Sequence, residues 1–174
     1  MAHDDSHRIQ LDRVAFYGRT LAEYLRIFDL DLPSWRDCTI LDCSAGASSF
    51  VAETHVQGIR AVACDPLYGS DLTHLIDRGE ADIQHVIERV ARVPHLFQWN
   101  FYSSLCVLRD HRLTALRRFQ DDYPRGLVEQ RYIKAELARL PFEDRRLISC
   151  SAGIFSSPTV TDSIMRFIER LFWN

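Results

Sequence analysis

Thr39-Ile-Leu-Asp-Cys-Ser-Ala-Gly-Ala-Ser-Ser-Phe50 is the stretch on which the reading of this chain turns. A short apolar run, Ile40 and Leu41, ends in an acid, Asp42. Small residues follow, then apolar Phe50 and Val51. This is the order of a buried strand, a tight loop and the start of a helix. Small residues let another backbone or a ligand come close, and a helix N-terminus presents free N–H groups. A second strand-like run, Arg60-Ala-Val-Ala-Cys-Asp65, ends in another acid, 23 residues after Asp42. In nucleotide-binding βαβ units an acid at about that distance accepts from the ribose hydroxyls. The pattern predicts an α/β fold with a parallel sheet and a ligand site at the carboxyl ends of its first two strands.

Around this centre the chain reads as one domain over residues 1–174. Residues 1–12 form a polar tail. Leu21, Tyr24, Leu25 and Phe28 share a helix face within 14–30, with Asp31-Leu-Pro33 as the stop and Trp35 anchoring the turn. Strand one is placed at 38–43, a helix at 47–57 with Gly58 as its C-cap, and strand two at 60–64. Asp71 caps a helical stretch over 71–92 that Arg78-Gly79 divides and Pro94 ends. Aromatic residues crowd 95–102, around Trp99. A further helix spans 103–120, and Asp121-Asp-Tyr-Pro124-Arg-Gly126 reads as a turn. Strand three follows at 130–134. Some sixty residues separate strands two and three, far more than a crossover needs, so 78–120 is expected to be a helical insertion, either a lid over the site or a prop.

Composition narrows the function. The chain is 47% hydrophobic and 26% charged, ordinary for a globular protein, and its net charge is −3. That argues against general affinity for nucleic acid or an anionic membrane. No apolar run approaches the roughly 20 residues of a membrane helix. The polar start carries no signal-peptide core, and the five cysteines include no Cys-x-x-Cys pair. Reduced, mostly buried thiols, a cytoplasmic location and no metal site are expected.

Three segments carry a family resemblance. "ILDCSAGASSF" (40–50) resembles the first motif of class I S-adenosylmethionine (SAM)-dependent methyltransferases, and Asp65 resembles the acid that ends their second strand. "IKAELARLPFED" (133–144) resembles their "GDAxxLPFxD" stretch. "FYGRTLAEYLRIFDLDL" (16–32) is similar to the start of an uncharacterised bacterial methyltransferase-like group. The resemblance covers roughly 14–146. It implies a Rossmann-like three-layer sandwich and SAM as cofactor. By position it implies cofactor contacts from Asp42, Cys43, Ser44, Ala45, Gly46, Asp65, Pro66, Glu136 and Leu137, with Asp42 toward the methionine end, Asp65 on the ribose diol and Glu136 toward the adenine. Phe16, Tyr17 and Arg19 would help close the pocket. Ser44 and Ser48 stand where the family has glycines, a costly exchange wherever φ must be positive.

The resemblance stops near residue 147. The family's Phe-Asp pair is absent, Leu147-Ile148 is a very short apolar run, and the 28 residues after Arg146 are too few for the missing half of a seven-stranded sheet. Two explanations stand: a natural minimal form, or a shifted reading frame, which the abrupt break after an intact "LPFED" favours. Either leaves an atypical tail (147–174), holding one amphipathic helix from Thr159, and a C-terminally incomplete sheet whose apolar surface and open edge the tail helix or a homodimer would cover.

The leading expectation is methyl transfer to a small-molecule acceptor, with no catalytic residue identified; His85, His95 and His111 are the weakest of candidates. The alternative is a non-catalytic remnant that binds SAM weakly or serves as an interaction module. A dinucleotide oxidoreductase fits poorly, because Ser44-Ala-Gly46-Ala-Ser-Ser49 lacks the Gly-x-Gly-x-x-Gly spacing.

Overall fold

The computed structural model describes residues 15–37, 39–97, 99–136, 139–141 and 149–152. Leu137 and the tail helix from Thr159 therefore lie outside the described residues. The fold is α/β. Strands β1 (Thr39–Cys43), β2 (Arg60–Asp65), β3 (Tyr132–Lys134) and β4 (Ser149–Ala152) form one parallel sheet in the order β3-β2-β1-β4. The register sets Asp42 beside Ala63 and Cys43 beside Cys64, so the chain leaves both central strands at the same sheet edge. The fourth strand is the small, polar Ser-Cys-Ser-Ala run, which begins just after the apolar pair that the pattern had suggested.

Alternation divides the sheet into two faces. Ile40, Ala61, Ala63 and Tyr132 join the main core with side chains from helices α1 (Leu21–Phe28), α2 (Phe50–Val56), α3 (Leu72–Arg92) and α4 (Leu105–Val128). Leu41, Cys43 and Cys64 form a second cluster with Val62, Ile133, Ala135 and Leu140. All three are fully buried, so the bare apolar surface expected of a short sheet is not seen at these positions. Cys106, by contrast, is an exposed thiol.

Helix α2 begins at Phe50 rather than 47 and β3 at Tyr132 rather than 130, and three further differences have a visible cause. Helix α1 begins at Leu21, because the Glu23 carboxylate reaches back to the Thr20 N–H (2.8 Å) and fixes the entry; residues 15–20 run as a separate segment. Gly79 does not divide α3. It marks a close approach instead, since a Cβ there would stand 2.7 Å from Leu116 Cδ1 on α4. Pro124 does not end α4, which continues through the expected turn to Val128. Tyr123 and Phe119 pack with Tyr68 and Tyr132 in one aromatic cluster, and that burial offsets the hydrogen bond a proline removes.

Helix α4 packs on α2 and β3 as a crossover helix would, and α3 packs on α4. The expected insertion is thus a helix pair that contributes Ile83, Ile87, Val90, Leu108, Leu116 and Phe119 to the core. Among the described residues no helix is long and apolar enough to cross a membrane, and no cluster of three or more His, Cys, Asp or Glu could hold a metal.

Candidate functional site

At the carboxyl edge of β1 and β2 the loop 44–49 leads from β1 into α2. Ser44 and Gly46 both take the left-handed conformation (φ 54° and 56°). The expected cost of a serine in place of glycine therefore falls on Ser44. Ser48 lies outside that region, and its hydroxyl is used twice: it donates to the Arg19 carbonyl (3.2 Å) and accepts from the Phe50 N–H (3.1 Å).

Asp65 is the hinge of the site. Its Oδ2 accepts from the Gly46 N–H (3.0 Å) and its Oδ1 from the Leu67 N–H (2.9 Å). It caps the turn beyond Pro66 and also fastens the loop of the neighbouring strand. Burial pushes its carboxyl above the usual range, against the pull of the two N–H groups. Below it, Tyr68 donates to the Gly46 carbonyl (2.7 Å) from a fully buried position. A carboxylate has about four acceptor positions, so these two bonds do not exhaust it, although the residue is only 7% exposed.

Asp42 is placed differently from Asp65. It is fully buried under α1, where the Tyr24 hydroxyl lies 3.0 and 2.8 Å from its two oxygens. Burial raises its carboxyl to about 7, although Tyr24, Ser48 and the Arg19 charge draw it down. Ala45 donates its N–H to the Cys64 carbonyl (3.2 Å), which joins the loop to β2. Cys43 and Ala45 are buried; Pro66 and Glu136 are exposed. Glu136 lies just beyond β3, next to Ala135, whose N–H reaches the Asp65 carbonyl (3.3 Å), and its backbone pairs with Arg139. The sheet thus gathers Asp42, Cys43, Ser44, Ala45, Gly46, Asp65, Pro66 and Glu136 at one edge. No two of their side chains are hydrogen-bonded to each other among the described contacts.

The site has a cover. Residues 16–20 lie across the loop: a Cβ on Gly46 would come 2.6 Å from the Tyr17 carbonyl oxygen, and a Cβ on Gly18 would land on the backbone of Ala47 and Ser48. The Ser49 N–H donates to the Arg19 carbonyl (3.1 Å). The close approach that small loop residues permit is thus made, on this face, by the chain's own N-terminal segment. That segment is fixed in turn by Glu23, Asp82 and Arg112. Sequence reasoning missed these three; Asp82 and Arg112 meet the segment across 66 and 94 residues. One of them was readable: Thr20-x-x-Glu23 is a capping-box signature.

No protein-family model and no solved structure matches the chain. It is similar to an uncharacterised protein of Methanocaldococcus jannaschii, 25% identical over 150 residues. The match takes in 84% of this chain and 66% of the archaeal protein, so the chain spans just under two thirds of that relative's length.

Proposed function

We propose that the chain binds S-adenosylmethionine at the carboxyl ends of β1 and β2 and acts as a class I methyltransferase on a small-molecule acceptor. The observation that supports this most is Asp65. It ends the second strand of a parallel sheet ordered β3-β2-β1-β4, holds the backbone of the loop after β1, and keeps acceptor positions in reserve. Asp65 would take the ribose hydroxyls, Asp42 and the loop at Ser44 and Gly46 would lie toward the methionine end, and Glu136 would lie toward the adenine. Bound there, the cofactor supplies the methyl group and leaves as its thioether. The chain's part is to position donor and acceptor in line, which needs no acid–base dyad when the acceptor is already nucleophilic. The acidic balance of the chain favours a small acceptor over nucleic acid.

A second reading has its own support. The face of Gly46 is already covered by Tyr17, and Ser49 is already bonded to Arg19. That favours a non-catalytic domain that keeps the sheet without the cofactor. Calorimetric titration with S-adenosylmethionine and S-adenosylhomocysteine, with NAD as control, separates the two. Micromolar binding of the adenosyl ligands alone, weakened by about 1–3 kcal/mol in Asp65→Asn, supports the methyltransferase. A folded protein that binds none of the three supports the remnant.

A further inference from the structure

The geometry points to a clasp: the helix pair α3–α4 holds residues 16–20 as a strap over the loop 44–49, and the site opens when Arg112 lets go of Glu23 and Gly18. Only the ligand readout below rests on the cofactor reading.

Glu23, at the start of α1, is fully buried and serves two elements. Its Oε2 accepts from the N–H (2.8 Å) and hydroxyl (3.0 Å) of Thr20, at the end of the strap. Its Oε1 accepts from Arg112 and from the Tyr102 hydroxyl. Arg112, on α4, is buried too. Besides Glu23 it reaches the Gly18 carbonyl (3.4 Å) and the Tyr102 hydroxyl (3.0 Å), and its guanidinium lies 5.4 Å from the Tyr17 ring and 5.5 Å from the Tyr102 ring. His111 Nδ1 stands 3.8 Å from Glu23 Oε2. On α3, buried Asp82 accepts from the Phe16 N–H (2.8 Å) and from Arg78 (2.5 Å). Phe16, Gly18 and Thr20 are therefore each hydrogen-bonded to a buried charged side chain. On its other side the strap meets the loop through glycine at both closest points, Gly18 and Gly46.

Two features make this a latch rather than uniform packing. The strap touches the loop through backbone and hydroxyl groups, which water can satisfy once they part. Phe16, whose buried ring packs against Phe119 of α4 and Tyr68, anchors one end of the strap. Beyond it the polar hold on α4 runs through the Arg112–Glu23 ion pair, whose members cannot be separated in a dry interior without leaving a charge unpaired. The contact is thus closed or released, with little between. A ligand atom can approach the Gly46 backbone on this face only after release.

The test is amide hydrogen exchange on the full chain without ligand, read at Ser49, whose N–H crosses to the strap. Arg112→Met should speed exchange at Ser49 by roughly tenfold or more relative to Leu41 and Val62 in the strands. The control is Arg131→Met, which breaks the enclosed pair between Asp122 of α4 and Arg131 just before β3 and should move Ser49 only in step with the strands. Should Arg112→Met not fold, Tyr102→Phe removes a single hydroxyl from the same cluster and should give a smaller, equally selective rise. Unchanged exchange at Ser49, or a rise shared equally by the strands, overturns the clasp. The second readout is the association rate of S-adenosylhomocysteine, which should rise in Arg112→Met. If Ser49 opens selectively but no form binds that ligand, the clasp stands and the cofactor reading fails.

Discussion

The two strand-end acids, alike in sequence and both buried, differ in their partners. Asp65 accepts from main-chain N–H groups, Asp42 from a tyrosine hydroxyl. Their burial has a pH signature. Burial lifts the Asp42 carboxyl from its ordinary 3.8 to about 7. A carboxyl raised on folding contributes stability in full below about pH 4 and loses it as pH rises through about 7. One such group weakens the fold by ~1.4 kcal/mol per pH unit across that window, about 4 kcal/mol in all. Asp65 is raised in the same sense. Glu23 runs the other way: burial raises it, but Arg112, Tyr102 and Thr20 outweigh burial and hold it below its ordinary range, so its contribution is lost only in acid. Denaturant midpoints between pH 4.5 and 7.5 should therefore fall with pH, and Asp42→Asn should flatten the slope. An equal slope in the variant would mean that Asp42 is ionised throughout. The spacing of Asp65 from the first loop made it legible in the sequence. The burial of Asp42 was not, because its cause is Tyr24, 18 residues upstream on another element.

At the scale of elements, the strong helix faces and caps were legible: Asp71 accepts from the N–H groups of Thr73 (2.9 Å) and His74 (3.3 Å), and Gly58 takes the left-handed turn after α2. The breakers misled. Gly79 and Pro124 are poor helix residues in isolation, yet both lie inside long helices, since packing of α3 on α4 and of Tyr123 on the aromatic cluster outweighs local preference. Two outcomes follow from these placements. Gly79→Val should destabilise by about 1–3 kcal/mol, because the added side chain meets Leu116 in a filled interface. Pro124 is exposed, so Pro124→Ala removes no packing and restores a helix N–H; it should stabilise by about 1–2 kcal/mol after allowing for the looser unfolded chain. Thermal unfolding of the two variants checks both signs, and a destabilised Pro124→Ala would show that the proline ring itself is needed.

For the molecule as a whole, the sheet order makes a graded prediction. β1 is paired on both sides, by β2 and β4, whereas β3 pairs only with β2 among the described strands. Amides of Leu41–Cys43 should exchange with the slowest, global opening, and those of β3 sooner. If β1 exchanged as fast as β3, its pairing with the polar β4 run would be refuted. The same topology brings residues from near 20, 45, 65, 110 and 136 to one end of the sheet, where loop, acid and cover meet.

What the sequence determined by itself is local and periodic. The alternation of Ile40-Leu-Asp-Cys43 and Ala61-Val-Ala-Cys64, the small residues between them and the spaced acids fix two parallel strands and a loop, because side-chain period and backbone sterics act within a few residues. What tertiary structure alone decided is which partner each of those groups met. Gly46 lies under Tyr17, Asp42 under Tyr24, and Arg112 against both Glu23 and Gly18. Such pairings span tens of residues and are selected by burial: a charge or an N–H removed from water must find its complement wherever the packed chain brings one.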